Sequence, residues 1–213
     1  RQNQRVYVLK CDISKYYPSI YKPELMAVIV RTIRDKNLLR LLESIYYDFN
    51  NSQRGIPIGA VTSQLAANIL LNKLDHFVKE CIGAKYYLRY MDDFIIIHSD
   101  KNRLKEMLRD IEWFVSAVLK LKLNPKTGIF PASQGVDFAG YRTWATHIKP
   151  RKRNVKAAKI RFKTLAWHFK HGRIDKEAIE RRKASFEGYM CHCAGYRTTL
   201  STLRWLDTSQ EGG

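Results

Sequence analysis

The sequence predicts a mixed α/β (α+β) protein: an antiparallel sheet with helices on one face, followed by a small all-α basic domain. Three observations carry that reading. Short β-branched and aromatic runs alternate with apolar stripes at helical spacing through the first two thirds of the chain. Two adjacent acids, Asp92-Asp93, sit between two such runs, Tyr86 to Arg89 and Phe94 to Ile97, as at the tip of a hairpin. Composition changes near Arg142: from there to Lys170, Lys and Arg recur and neither Asp nor Glu occurs.

The chain has 213 residues, 45% of them hydrophobic, which is enough to bury a core in one large or two small domains. Lys and Arg number 38 against 20 Asp and Glu, a formal charge of +18. Such a field points to a polyanionic partner, nucleic acid first, although a ribosomal-type basic surface or a membrane surface would show the same balance. No apolar run approaches the roughly 20 residues that span a bilayer, and no signal peptide is visible, so a cytoplasmic location with no membrane partner is expected. Among four cysteines only Cys191-His192-Cys193 is clustered, and that is not a usual zinc spacing. Buried, reduced thiols are expected.

Val6 to Leu9 reads as the first strand and ends at Asp12, with the Ile13 carbonyl beside it as a further oxygen donor. Pro23 and Glu24 open a helix carrying Leu25, Val28, Ile29 and Ile33. A second helical stripe, Leu38, Leu41, Leu42, Ile45 and Phe49, is expected to be core. The Gly55-Ile56-Pro57-Ile58-Gly59 loop then leads into a helix opening at Ala60 to Gln64, where close backbone approach and the helix N-terminus favour an anion. That helix packs Ala67, Leu70, Leu71, Leu74, Phe77 and Val78 on a sheet. Asp100 caps the next helix, whose stripe is Leu104, Leu108, Ile111, Val115 and Val118. Asn124-Pro125 stops it, and residues 128–130 and 136–141 read as two strands around a Ser133-Gln134-Gly135 turn. In the basic stretch, Val155, Ala158, Phe162, Leu165 and Phe169 form one helical face, while Lys156, Lys163 and Lys170 recur every seventh position on another. That helix packs by one face and can track a phosphate backbone by the other.

Adjacent carboxylates at a hairpin tip repel one another and lose hydration, so a cation is expected beside them. A solvated turn is the plainer alternative, since Asp is common in turns. Hard oxygen donors suit Mg²⁺, which usually binds one or two carboxylates plus substrate phosphates, and phosphoryl transfer is the chemistry this implies.

The order of these features, an Asp after the first strand, a Gly-rich helix start, a Tyr90-Met91-Asp92-Asp93 hairpin and then a basic helical domain, resembles the palm and thumb of a reverse transcriptase over roughly residues 5 to 205. The resemblance implies a palm over 1–145 with a remnant of the fingers, a helical basic thumb over 146–208 and a disordered tail over 209–213. It implies two catalytic Mg²⁺ ions, with Mn²⁺ as a substitute, held by Asp12, the Ile13 carbonyl and Asp92 with Asp93 in support. Tyr17 matches the aromatic that abuts the sugar and selects dNTP over rNTP. Lys126, in Leu123-Asn124-Pro125-Lys126, resembles the basic residue that assists pyrophosphate departure. Ile58, Gly59 and Gln64 match the nucleotide-binding loop, and Lys149, Arg151, Lys152, Arg153, Lys156 and Lys163 lie on the thumb that grips an RNA template and DNA primer.

Two departures narrow the resemblance. Many reverse transcriptases carry Gln-Gly in that loop and Ser-Pro a few residues later, where this chain has Ile58-Gly59 and Ser63-Gln64. That pattern resembles the reverse transcriptases of diversity-generating retroelements, which copy a template RNA with errors at adenines alongside a small basic accessory protein. Replacing the Gln amide by Ile58 removes a hydrogen-bonding group near the incoming nucleotide and loosens geometric checking of the base pair. The second departure is that the fingers are expected to be largely absent from residues 1–213. A faithful intron-type reverse transcriptase, an RNA-dependent RNA polymerase and an inactive nucleic-acid-binding module with a polymerase-like fold are the competing readings.

Overall fold

The computed structural model describes residues 5–207. Contacts divide the chain into two compact units, between Ala132 and Ser133.

The first unit is built on a four-stranded sheet. Strands β1 (Tyr7–Asp12), β2 (Tyr86–Tyr90), β3 (Asp93–His98) and β4 (Gly128–Pro131) lie in the order β2-β3-β1-β4, and every neighbouring pair is antiparallel. Side chains alternate across a strand, so Leu9 and Cys11 of β1 and Phe94 and Ile96 of β3 share one face and join the main core. Lys10, Asp12 and Asp93 fall on the opposite face.

Helices α1 (Tyr16–Ser19), α2 (Lys22–Thr32), α3 (Lys36–Tyr47), α4 (Val61–His76) and α5 (Lys101–Ala117) complete this unit. Helix α4 buries Ala66, Ala67, Leu70, Leu71 and Leu74, continues as a π-helical turn over Phe77–Cys81, and meets the same core as Leu104, Met107, Ile111 and Val115 of α5. Asp100 caps α5 by accepting from the Asn102 amide at 2.7 Å. Helix α3 departs from expectation. Leu41 is 57% exposed, Leu38 and Phe49 are also exposed, and Tyr46 alone is fully buried. The helix sits at the margin of the core and packs Leu39, Leu42, Ile45 and Tyr47 only partly against it, so its apolar stripe is wider than the surface it covers.

In the second unit, β5 (Val136–Phe138), β6 (Tyr141–Thr143) and β7 (Ile148–Pro150) form a separate antiparallel sheet, followed by α6 (Lys152–Lys170), α7 (Lys176–Met190) and α8 (Tyr196–Asp207). The two strands expected to pair around Ser133 to Gly135 therefore join different sheets: β4 bonds to β1, and β5 bonds to β6. The division at Ala132 also falls before the boundary expected at 145/146. The small sheet is tied to the helices behind it, because the Tyr141 hydroxyl donates to the Tyr189 carbonyl at 2.8 Å and the two rings stack. Gly135, at φ +78°, lies directly against Trp144, and a Cβ there would stand 2.5 Å from the indole. The helices bury Ala158, Phe162 and Leu165 of α6 against Ile179, Phe186, Met190, Leu203 and Leu206. The tail expected over 209–213 lies outside the described residues. Among the described residues no helix is long and apolar enough to cross a membrane.

Candidate active site

Backbone pairing creates the site. Antiparallel register sets Asp12, the last residue of β1, opposite Asp93, the first of β3, and the Ile13 amide donates to the Asp92 carbonyl at 3.2 Å. Carboxylates far apart in sequence thus meet at one end of the sheet.

Tyr90 and Asp93 pair across the hairpin, leaving Met91 and Asp92 as its two turn residues. Met91 has φ +56°, the left-handed region that glycine usually fills at such positions. Its carbonyl accepts from Arg89 Nη1 at 2.9 Å.

Each carboxylate has its own neighbour. Asp12 Oδ2 accepts from Asn124 Nδ2 at 2.8 Å, and the Asn124 amide donates to the Asp12 carbonyl at 2.7 Å. Asp93 Oδ2 is ion-paired with Lys10 Nζ at 2.9 Å. Burial pushes the Asp92 carboxyl above its usual range, and the charges of Asp12 and Asp93 push it the same way against a backbone hydrogen bond. A nearby cation would favour the charged form of Asp92. Among the described residues no three His, Cys, Asp or Glu side chains converge as a ready-made ligand set. Two mutually repelling carboxylates, Asp12 and Asp92, nevertheless fit Mg²⁺, whose shell is ordinarily completed by water and substrate phosphates rather than by protein alone.

Tyr17 borders this group. Its hydroxyl pKa is raised by burial and by the Asp92 charge, and its ring makes an edge contact with Tyr16 at 5.7 Å between centroids. The Tyr17 carbonyl accepts from the Ile56 amide, which ties the ring's backbone to the loop before α4. In that loop Gly59 has φ +90° with open space where a Cβ would stand and Ile58 is 74% exposed, while Gln64, in the first turn of α4, is also exposed. Lys126 is exposed too, its amide donating to Asn124 Oδ1 at 3.0 Å. Asn124 thus links the Lys126 turn to Asp12.

The six expected basic residues belong to the second unit. Lys149, Lys152 and Lys156 line a groove with Lys159, Thr198 and Ser201. Arg151, Lys152 and Arg153 border a second hollow beside Trp144, over whose ring Lys149 and Arg142 lie at 5.6 and 5.5 Å. Lys163 lies over the Trp205 ring at 5.3 Å. These contacts seat the cations over aromatic faces.

Asn124, Lys10 and Arg89 are absent from the set expected from sequence. Asn124 stood out only as a helix stop, and each of the three has a carboxylate partner outside its own element, Asp93 for Lys10, Asp75 for Arg89 and Asp12 for Asn124. Alternation along β1 and the hairpin turn would have pointed to Lys10 and Arg89 once strand pairing was known.

Residues 1–143 match the family model of reverse transcriptase (RNA-dependent DNA polymerase). Protein YkfC of Escherichia coli (strain K12) is 26% identical over 176 residues, 64% of this chain and 46% of that protein. The retron Ec73 reverse transcriptase of Escherichia coli is 28% identical over 120 residues, 50% of this chain and 37% of that protein. The chain thus spans less than half the length of these relatives. Apo telomerase from Candida tropicalis superposes with a TM-score of 0.57 at 15% identity over 97% of this chain and 46% of that one, a likeness of fold.

Proposed function

The chain belongs to the reverse transcriptase (RNA-dependent DNA polymerase) family, and from that premise we propose that it carries out RNA-templated DNA synthesis by two-Mg²⁺ nucleotidyl transfer. The observation that carries the reading is the β1–β3 register that pairs Asp12 with Asp93 and sets the Asp92 turn beside them, with the Asp92 carboxyl raised by burial and by its acidic neighbours. Asp12, the Ile13 carbonyl and Asp92 would hold the ions, with Asp93, paired to Lys10, shaping the field around them. When bound, Mg²⁺ supplies charge neutralisation for attack by the primer 3′-hydroxyl and for departure of pyrophosphate. Asn124 fixes one Asp12 oxygen, which orients the other oxygen of that carboxylate. Tyr17 bounds the sugar of an incoming dNTP, Gly59 allows close backbone approach, and Ile58 from the loop and Gln64 from the first turn of α4 face the nucleotide. Lys126 stabilises the leaving pyrophosphate. Lys149, Arg151, Lys152, Arg153, Lys156 and Lys163 bind the backbone of an RNA template and DNA primer.

The exposure of Ile58 supports a finer reading. An aliphatic side chain presented to the nucleotide offers no amide for base-pair checking, as expected for error-prone copying of a retroelement template, with a small basic protein as accessory partner. Mg²⁺-dependent dNTP incorporation on an RNA template tests the main reading. Asp92→Asn should abolish incorporation while retaining nucleic-acid binding, and equal extension by parent and variant would overturn it. On an adenine-containing template, Ile58→Gln should lower the misincorporation rate, and an unchanged rate removes the error-prone reading alone.

A further inference from the structure

Behind the hairpin, on the helix-facing side of the sheet, lies a polar network that no site residue explains. Arg89 of β2 reaches α4 through a two-pronged contact with Asp75, Nε to Oδ1 at 2.7 Å and Nη2 to Oδ2 at 2.5 Å. Its Nη1 donates twice more, to Asn68 Oδ1 at 3.0 Å and to the Met91 carbonyl at 2.9 Å. Asn68 Nδ2 contacts Met91 Sδ at 3.5 Å, and the Tyr87 hydroxyl donates to Asp75 at 2.6 Å. Asn68 and Asp75 are seven residues apart on α4, two helical turns, and therefore share a face. One guanidinium consequently holds α4 and both the carbonyl and, through Asn68, the side chain of the turn residue in left-handed conformation.

We infer that Arg89, oriented by Asp75, is the positioning residue of the catalytic hairpin, holding the Met91–Asp92 turn so that Asp92 is presented toward Asp12. The inference rests on the polymerase reading of the site. An L-residue seldom adopts φ near +56° unless its surroundings impose it, and Arg89 supplies that constraint from one residue before Tyr90. The planar fork of Arg matches a carboxylate in a way Lys cannot, so the geometry demands Arg rather than a cation in general. Burial works against the Arg89 charge, but the Asp75 hydrogen bonds and charge outweigh it and raise the guanidinium pKa, while the Asp75 carboxyl is lowered despite its own burial. Each partner thus favours the other's charged form.

Three measurements on the full protein test this in parent, Arg89→Lys and Asp75→Asn. Amide hydrogen exchange at residues 90–93 should accelerate by at least about 10-fold in both variants, with protection of β1 and α4 retained. Mn²⁺ affinity, read by electron paramagnetic resonance, should fall about 10- to 100-fold. The kcat for dNTP incorporation should fall about 10²-fold, with KM for dNTP within about twofold. Unchanged exchange in the turn overturns the proposal, as does accelerated exchange throughout the first unit, which would make the network a general staple. If the parent itself incorporates nothing while exchange and Mn²⁺ affinity change as stated, the polymerase reading fails and the positioning role stands.

Discussion

Asn124 Nδ2 donates to Asp12 Oδ2 at 2.8 Å, and the Asn124 backbone donates to the carbonyl of that same aspartate. One residue thus fixes both the strand end and its carboxylate, and its own Oδ1 closes the turn that carries Lys126. Outer groups that orient a metal-binding carboxylate typically matter by one to two orders of magnitude. Asn124→Ala should lower Mg²⁺-dependent extension by about 10- to 100-fold. Circular dichroism and melting should stay near the parent's, and restoration by raised Mg²⁺ would identify weakened metal binding as the cause.

Removing the Asp92 charge should stabilise the metal-free protein. Because burial and the neighbouring acids raise the folded-state carboxyl pKa, the native state binds more protons than the unfolded state between the two pKa values. Stability is then lost as pH rises through that window, which opens at the unfolded value of about 3.9. Asp92→Asn should raise Tm at pH 7 in EDTA, each kcal/mol of relieved repulsion giving roughly 2–4 °C. The gain should vanish below the unfolded carboxyl pKa, and added Mg²⁺ should raise the parent's Tm more than the variant's.

Tyr17→Ala should reduce the preference for dNTP over rNTP by at least about 10-fold, measured as the ratio of kcat/KM values. Tyr17→Phe should keep the preference, since the ring rather than the hydroxyl excludes a 2′-hydroxyl.

Charge removal on α6 should act through salt dependence. Lys152, Lys156 and Lys159 line one groove, and changing all three to Gln should weaken RNA–DNA duplex binding. The slope of log K against log salt should become shallower by roughly 0.9 for each phosphate that is no longer neutralised. Sequence preference should be unaffected, because binding to phosphates carries none.

Gly135→Ala should destabilise the second unit by about 1–3 kcal/mol. The added Cβ meets the Trp144 ring at 2.5 Å and φ is +78°. Tryptophan fluorescence during denaturation would report the loss.

Much of this was legible in the sequence because it is encoded locally. The alternation flanking Asp92-Asp93, the Asp100 cap and the stripes of α4 and α5 each depend on spacing within a few residues. The α3 stripe misled because periodicity reveals an apolar face but not whether anything covers it, and Leu41 is left exposed. The strands flanking Ser133 to Gly135 misled in a related way: turn chemistry marks a reversal without choosing the pairing partner, and β4 found β1. Asn124 and Arg89 act on Asp12 and Asp75, partners that only the folded chain supplies.

Lys10 has a consequence for ion stoichiometry. The Lys10 ammonium lies against Asp93, one of three acids gathered at the sheet end. On the polymerase reading proposed above, a triphosphate brings negative charge of its own to this end of the sheet, and Mn²⁺ titration with and without dNTP should show more ions bound when dNTP is present.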